Sequence, residues 1–303
     1  MPQKFTVDKD YHNTRFDKWF KSNVKDLPQS LIEKILRKNN VKVNRKKIKT
    51  SYRVQIGDVI EIYRIEKLKV ADRPKTIKYK PSNKEIGQYD NFILENNENF
   101  LIINKPPGIA VQSGTNSFRN IIDILKDTKY FENTKPFIVH RLDKETSGVL
   151  IIAKNREYAQ LFTSLFRIRR IHKTYLAITH GKVLSKIKTM EDDLISYENG
   201  KKIKQKAISH LNILKSSSEY SLVELNPITG RKHQLRKQLY NIGNPIVGDN
   251  KYFINKRGNK KEKINLLLHA YKIKFMIKNI KYNFKAKYTS EFESFLKKNL
   301  KSF

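Results

Sequence analysis

The sequence predicts an α+β protein that consists of a small N-terminal module and one larger domain. Short runs in which apolar and polar residues alternate, as in half-buried strands, are interspersed with runs of helical period. A charged stretch at 65–90 contains few large apolar residues and is typical of a linker. The length of 303 residues is enough for a domain of ordinary size and an accessory module. We therefore assign the module to 1–64 and the domain to 91–303.

The N-terminal module is predicted to contain two helices followed by short strands. An apolar stretch of helical period surrounds Trp19, and Pro28 suits the first turn of a second helix. The segments VKVN at 41–44 and VIEIY at 59–63 alternate apolar with polar residues. Gly57 and the aspartate that follows it supply a turn before the last strand. These features indicate a compact helix-helix-hairpin module.

Strands and helices are mixed throughout the larger domain, and no internal repeat is visible. The pattern predicts helices that begin at Ser117 and after Asn155, one from about 229 to 242, and a last one that Ser290 caps with Glu293 in capping-box spacing. Predicted strands lie at 92–95, 101–104, 149–153, 174–179, 206–213, 220–225, 270–277 and 279–284. This mixture is typical of a single α+β domain.

The chain is strongly basic, with a formal net charge of +34 from 63 Lys and Arg residues against 29 Asp and Glu residues. Such a charge repels itself in a compact state unless a polyanion neutralises it, and nucleic acid is the commonest such partner. Lys-rich compositional drift explains part of the excess, because the chain has 48 Lys and only 15 Arg. Positions that keep Arg are therefore candidates for roles that need a planar bidentate donor. Arg141, Arg231 and Arg236 lie in the motifs described below.

The residue types that are missing narrow the chemistry. The chain has no cysteine, which excludes disulfides, thiolate zinc sites and cysteine nucleophiles. It has no run of 18 apolar residues, and its first residues lack the apolar core of a secretory signal, so we expect a cytoplasmic protein without a membrane partner. His140, His233 and His269 have no acidic residue at ligand spacing, so we expect no metal.

A polar loop at 140–148, with the sequence HRLDKETSG, lies between the apolar segments FIV and VLIIA. Its position places Asp143 at the edge of a predicted sheet. An aspartate there can be a nucleophile, which must stay ionised and therefore needs a nearby cation. It can also cap the turn before Thr146, and the loop alone does not decide between the two.

Five segments resemble, in order and spacing, the RluA/RluC/RluD family of RNA pseudouridine synthases. They are INKPPGIAVQSG at 103–114, HRLDKETSGVLIIAK at 140–154, KTYLAITHG at 173–181, LNPITGRKHQLR at 225–236 and LLLHAYKIKF at 266–275. The resemblance covers roughly 92–285, and residues 15–63 resemble an S4 RNA-binding domain. It implies a catalytic domain with a mixed, largely antiparallel sheet flanked by helices. The AVQSG stretch and the S4-like front module are most similar to members that act on large-subunit ribosomal RNA.

The resemblance also implies roles for individual residues and no cofactor. Asp143 matches the catalytic aspartate, which attacks the uracil ring or the ribose anomeric carbon so that uracil detaches, rotates and rejoins through carbon five. Arg231 matches the basic residue that pairs with this aspartate and keeps it charged. Tyr175 matches the tyrosine that stacks on the target base, and Arg141 the arginine that fills the space of the flipped uridine.

Each of these roles has a plainer alternative. Arg231 can be a solvent-facing residue at a helix start, Tyr175 a core residue and Arg141 a simple phosphate contact. We count His140 and Arg236 with Arg141 as RNA-binding residues of the larger domain. The front module is expected to present a basic face to RNA, formed by Arg15, Lys18, Arg37, Lys38, Lys42 and Asn44, although each lysine can simply be solvated.

We expect a monomeric enzyme that isomerises uridine in 23S ribosomal RNA. The same chemistry on transfer RNA stays open, because the catalytic motifs concern one flipped uridine and not its surroundings. A non-catalytic RNA-binding or ribosome assembly factor is a further alternative, which the joint presence of Asp143, Tyr175 and Arg231 argues against. Two sites depart from the family pattern. Lys232 replaces the usual Thr or Ser, and Met276 with Ile277 replaces a His-Pro pair.

Overall fold

The computed structural model describes residues 2–64, 79, 81–113, 119–198, 201–253 and 264–300. The chain divides into two compact units, Met1–Ile77 and Lys78–Phe303. Each unit has apolar clusters of its own and is described by itself. None of the described helices is long and apolar enough to span a membrane.

The first unit packs two helices against a small antiparallel sheet. Its helices are α1 (Phe16–Asn23) and α2 (Gln29–Arg37), and its strands are β1 (Gln3–Thr6), β2 (Thr14–Arg15), β3 (Val41–Val43), β4 (Arg53–Val54) and β5 (Val59–Ile62). β5 lies between β1 and β3, and β2 pairs with β4. The buried rings of Phe16 and Trp19 stack in the core with centroids 6.1 Å apart. The sequence pattern predicts both helices and the later strands, but it does not predict β1.

The second unit is built on a ten-stranded sheet flanked by helices. Its strands are β6 (Ile93–Asn96), β7 (Phe100–Lys105), β8 (Phe137–Ile138), β9 (Ser147–Ala153), β10 (His172–His180), β11 (Thr189–Glu198), β12 (Lys201–Ser216), β13 (Tyr220–Pro227), β14 (Leu268–Ile277) and β15 (Ile280–Lys285). Its helices are α3 (Asn83–Gln88), α4 (Ile121–Lys126), α5 (Arg156–Arg167), α6 (Gln234–Asn241) and α7 (Ser290–Asn299). This architecture confirms the predicted α+β class.

The strands follow the order β11-β12-β13-β10-β14-β9-β7-β6, with β15 paired to β14 and β8 to β9. Among the described pairings of this sheet, only β9 with β14 is parallel, with Ser147 opposite His269 and Gly148 opposite Ala270. Gly148 has a φ of +110°, and a Cβ there would lie 2.3 Å from the carbonyl oxygen of Ala270. Only glycine fits so close a backbone approach. The polar loop that precedes β9 is therefore anchored in the middle of the sheet.

Helix α6 is fixed to the β11-β12 hairpin by a buried amide. The Gln238 side chain donates to the carbonyl oxygens of Met190 and Ala207 at 3.1 and 3.2 Å, and it accepts from the Ser209 hydroxyl at 2.7 Å. A buried amide without such partners would cost about 1–3 kcal/mol. The helix therefore has one well-defined orientation on the sheet.

Several element boundaries differ from the sequence-based expectation. Part of the predicted linker belongs to the second unit, because α3 forms there and Tyr89 is buried in its core. The rest of that linker at 65–78, and the helix start predicted at Ser117, lie outside the described residues. The described helix α4 begins after Asn120, whose side chain accepts from the Asp123 backbone N. The sequence pattern did not predict strand β11.

Candidate active site

A cleft of about 730 Å³ opens beside the loop that carries Asp143. Its walls come from that loop, from α5, from β10 and from the segment 227–236. The predicted site residues of the larger domain all line it, namely His140, Arg141, Asp143, Tyr175, Arg231 and Arg236. A volume of this size is typical of a pocket for a small ligand.

Asp143 lies in the turn before β9 and keeps 23% of its side chain exposed. The Thr146 backbone N donates to the Asp143 carbonyl oxygen at 3.1 Å, so the main chain closes this turn. Two basic groups face the carboxylate, Nη1 of Arg236 at 3.7 Å and Nε2 of His233 at 3.8 Å. Both atoms lie within ion-pair distance of the carboxylate but beyond hydrogen-bonding distance.

Arg236 is buried and divides its guanidinium among three carboxylates. Its Nε and Nη2 each donate to Asp249 at 2.7 Å, while Nη1 lies 3.7 Å from both Asp143 and Glu145. Burial by itself lowers the pKa of Arg236, but the hydrogen bonds to Asp249 and the nearby negative charges raise that pKa overall. Arg236 is only 4% exposed, so its guanidinium has almost no surface for a phosphate. We therefore correct its expected RNA contact.

Arg231 does not occupy the place predicted for it. Its side chain is exposed, and its Nε donates to the carbonyl oxygen of Lys206 at 3.2 Å. The reason is that α6 begins only at Gln234, whose side chain accepts from the Arg231 backbone N at 3.0 Å and closes a turn before the helix. The predicted ion pair of Arg231 with Asp143 is therefore wrong, and Arg236 faces Asp143 instead.

His233 is a site residue that the sequence-based reasoning missed. It has a left-handed backbone with a φ of 54°, a conformation that costs a non-glycine residue about 1–3 kcal/mol. Its Nδ1 lies 3.0 Å from the hydroxyl of Tyr252. Burial lowers the pKa of His233, and the charge of Asp143 only partly opposes this. Its place in the motif LNPITGRKHQLR, which ends at Arg236, was the available signal.

Tyr175 lines the cleft from β10 and is partly buried. Burial raises the pKa of its phenol, and the negative charge of Asp143 raises it further. The phenol therefore stays protonated at neutral pH and can donate a hydrogen bond. Lys173 shares this face of β10, because side chains two residues apart point the same way. It also lines the cleft, and sequence-based reasoning gave it no role.

His140 and Arg141 differ in their surroundings although they are adjacent. Arg141 is exposed at the cleft, as an RNA contact requires. The Nε2 of His140 accepts from the Ile151 backbone N at 2.9 Å, and its ring lies 4.7 Å from that of Phe166. Burial lowers the pKa of His140 to about 3, so the ring is neutral. These contacts hold the loop in place, and the RNA-binding role of His140 stays a prediction.

A buried lysine also holds this loop. The ammonium of Lys105 donates to the carbonyl oxygens of Pro106 at 2.8 Å, Ile109 at 2.9 Å and Lys144 at 3.1 Å. Burial lowers its pKa to about 7. These bonds connect the Pro-Pro-Gly turn to the residue after Asp143.

The predicted RNA face of the front module is only partly available. Lys18, Arg37 and Lys38 are exposed. Arg15 pairs with Asp17 at 2.8 Å, and the ammonium of Lys42 lies 5.7 Å from the Tyr63 ring centroid. Asn44 is exposed, and its amide donates to Asp58 at 2.7 Å and accepts from the Val59 backbone N at 2.8 Å, so its RNA contact stays a prediction.

The three histidines weighed as metal ligands have separate surroundings. His269 is fully buried, with Nδ1 2.8 Å from the Ser147 hydroxyl and Nε2 3.3 Å from the Ala286 carbonyl oxygen. Burial lowers its pKa to about 4. Among the described residues, no three His, Asp or Glu side chains form a group that could hold a metal ion.

Comparison with known proteins places these residues in a family. The model of the family described as RNA pseudouridylate synthase matches residues 99–241, which include Asp143, Tyr175 and Arg236. Ribosomal large subunit pseudouridine synthase C of Haemophilus influenzae is 33% identical over 285 residues, which cover 89% of this chain and 86% of that protein. The protein of the same name from Buchnera aphidicola subsp. Baizongia pistaciae is 36% identical over 273 residues, with 86% and 85% covered.

Solved structures agree with the sequence relatives. Human RNA Pseudouridylate Synthase Domain Containing 4 superposes with a TM-score of 0.60 at 28% identity, over 70% of this chain and 94% of that one. Human RNA Pseudouridylate Synthase Domain Containing 1 shares the fold, with a TM-score of 0.55 at 23% identity over 69% of this chain and 86% of that one. On the strength of the curated relatives and the family match, the chain belongs to the RNA pseudouridylate synthase family.

Proposed function

We propose that this chain isomerises uridine to pseudouridine in large-subunit ribosomal RNA. In this reaction the bond from N1 to C1′ breaks, a bond from C5 to C1′ forms, and the proton lost from C5 is balanced by one gained at N1. The observation that carries the proposal is the cleft in which the Asp143 carboxylate faces Arg236 and His233. Relatives named as ribosomal large subunit enzymes support the choice of RNA.

Asp143 is the proposed nucleophile. Its carboxylate adds to the uracil ring or to C1′ of the ribose, which allows the base to detach, turn and rejoin through C5. Arg236 keeps the carboxylate ionised when a bound base excludes water from the cleft. Tyr175 stacks on the base, and Arg141 fills the space left by the flipped uridine, which compensates for lost stacking.

The hairpin of β11 and β12 carries a row of lysines along which bound RNA can extend beyond the cleft. Lys202 and Lys204 are exposed and alternate along β12, so their side chains lie on one face. Lys206 continues this row and pairs with Glu191, while its carbonyl oxygen accepts from Arg231 at the cleft. A row of cations that leads to the pocket suits an RNA backbone.

Release of tritium from [5-³H]uridine in large-subunit ribosomal RNA tests the proposal, because only loss of the C5 proton frees the label. We expect Asp143→Asn to abolish release while RNA affinity stays nearly intact, since almost no volume changes. Asp192→Asn is the matched control, because Asp192 only accepts from Asn241 at 2.9 Å outside the cleft. Release by Asp143→Asn would contradict the mechanism. Release from transfer RNA alone would favour that substrate, and binding without release by the unmutated chain would favour a non-catalytic factor.

A further inference from the structure

We propose that the loop from Gly248 to Tyr252 is a positioning element for catalysis, in which Asp249 orients Arg236 and Tyr252 orients His233 toward Asp143. The inference rests on the proposed function, and it concerns two residues that do not line the cleft themselves. One short loop would then control both groups that face the Asp143 carboxylate.

Asp249 determines which edge of the Arg236 guanidinium remains for Asp143. Its two oxygens accept from Nε and Nη2 at 2.7 Å, so the plane of the guanidinium is fixed and Nη1 is left facing Asp143. Asp249 is itself oriented, because one oxygen also accepts from the backbone N of Lys251 at 2.9 Å and of Tyr252 at 3.0 Å. Its carboxylate is fully buried, so water does not compete for these bonds.

Tyr252 determines which nitrogen of His233 carries the proton. Its hydroxyl lies 3.0 Å from Nδ1, while Nε2 faces the Asp143 carboxylate at 3.8 Å. A negative carboxylate favours a proton on Nε2, so we assign the Tyr252 hydroxyl as the donor to Nδ1. The Tyr252 ring also lies 5.3 Å from the Arg236 guanidinium carbon, within the range of a cation-π contact. Tyr252 therefore contacts both His233 and Arg236.

Backbone hydrogen bonds and close packing hold the start of the loop in a fixed position. Val247 donates to the Ile178 carbonyl oxygen at 2.9 Å and accepts from the Leu267 backbone N at 2.9 Å. Gly248 has a φ of +77°, and a Cβ there would lie 2.2 Å from the carbonyl oxygen of Asn265. The loop is thus packed between β10 and the segment that enters β14.

Tyr252→Phe is the first test, because it removes only the hydroxyl. Without that donor, the Nδ1-protonated tautomer of His233 becomes accessible and turns an unprotonated Nε2 toward Asp143. We expect kcat for tritium release to fall roughly 10-fold with KM almost unchanged, and the acid limb of the kcat profile to move to higher pH. Tyr240→Phe is the matched control, because Tyr240 is exposed and its ring lies 6.4 Å from that of Tyr252. Equal kcat and equal pH profiles in Tyr252→Phe and the unmutated chain would overturn the role of Tyr252.

Nitrogen-15 NMR of histidine-labelled full-length chain reads the tautomer without any RNA. We expect His233 to be protonated at Nε2 in the unmutated chain and to populate both tautomers in Tyr252→Phe. An Nδ1-protonated His233 in the unmutated chain would overturn this half of the inference. If the unmutated chain releases no tritium, the proposed function fails while this comparison still tests the loop.

Asp249→Asn distinguishes a positioning role of Asp249 from a purely electrostatic one. If Asp249 positions Arg236, the plateau of kcat falls roughly 100-fold at every pH. If Asp249 acts only through its charge, its removal leaves the positive charge of Arg236 less compensated. The plateau of kcat then stays the same and the acid limb of the kcat profile moves to lower pH. That result would overturn the inference. Asp192→Asn again serves as the control. Should Asp249→Asn fail to fold, Tyr252→Phe and the NMR comparison still decide the role of the loop.

Discussion

At the scale of single residues, the basic side chains around Asp143 differ in how firmly each is held. Arg236 is fixed by two hydrogen bonds to the buried Asp249. Arg231 makes one hydrogen bond from its side chain to a carbonyl oxygen of the hairpin and is otherwise exposed. A guanidinium held in a fork has a defined direction, whereas a surface side chain has several rotamers.

This difference leads to opposite expectations for two conservative substitutions. Arg236→Lys keeps the positive charge but loses the fork that bridges Asp249 and Asp143, so kcat should fall by roughly 100-fold or more. Arg231→Lys should retain activity within about three-fold, because its side chain is exposed and faces β12. Single-turnover tritium release measures both. A greater loss in Arg231→Lys than in Arg236→Lys would contradict our correction.

Lys173 is a cation of the cleft for which the described residues provide no hydrogen-bond acceptor. Burial lowers its pKa, which indicates that folding does not compensate its charge. An oxygen of the bound nucleotide would do so, and we therefore expect Lys173→Met to raise KM roughly 10-fold without lowering the thermal midpoint. The exposed Lys182 provides the control Lys182→Met. An unchanged KM in Lys173→Met would show that this ammonium does not contact RNA.

At the scale of elements, the β11-β12 hairpin matters because α6 and Arg231 are both attached to it. If its outer face binds RNA backbone, replacing Lys202 and Lys204 together by Gln should weaken binding at low salt. The slope of log affinity against log salt should become shallower by about 1.5, which corresponds to two lost phosphate contacts. We expect kcat to stay the same, because neither lysine lines the cleft.

Lys281 and Lys285 on β15 supply the matched control for this measurement. Both are exposed lysines on one face of one strand, and neither lines the cleft. Their replacement by Gln changes net charge by the same amount. Equal changes of slope in the two double variants would show that overall charge, and not the hairpin, determines RNA affinity.

At the scale of the whole molecule, the large sheet depends on a buried polar pair at its parallel junction. His269 on β14 lies opposite Ser147 on β9, and the Ser147 hydroxyl and the Ala286 carbonyl oxygen contact its two ring nitrogens. The ring is neutral because burial lowers its pKa to about 4. Protonation would place an unpaired charge inside the sheet.

The pH dependence of stability follows from that shift. An unfolded histidine, with a pKa of about 6.5, takes up a proton between pH 6.5 and 4, while folded His269 does not. Its contribution is therefore complete above pH 6.5 and is lost as the pH falls to 4, by up to about 3 kcal/mol. His269→Gln keeps hydrogen-bonding groups and does not titrate. We expect this variant to be less stable at neutral pH but to lose less on acidification in urea unfolding. Parallel losses in both proteins would contradict this role of His269.

The sequence by itself determined most elements of the fold and the position of Asp143. Apolar periodicity marks α1, α2, β9 and β14 because a buried strand or amphipathic helix requires its own spacing of apolar residues. The polar loop before β9 is recognisable because neither neighbouring strand needs polar residues for packing. The ordered motifs then connected this loop with Tyr175 and with the segment that ends at Arg236.

Only the tertiary structure decided which basic residue faces Asp143. The start of α6 depends on Gln234, whose side chain donates to the Ile208 carbonyl oxygen at 3.1 Å and to the Ser209 hydroxyl at 2.9 Å on a strand far away in sequence. These bonds turn Arg231 toward β12 and leave Arg236 to be oriented by Asp249. Local pattern does not encode such contacts, because a side chain's direction depends on partners that the chain brings close only when the sheet assembles.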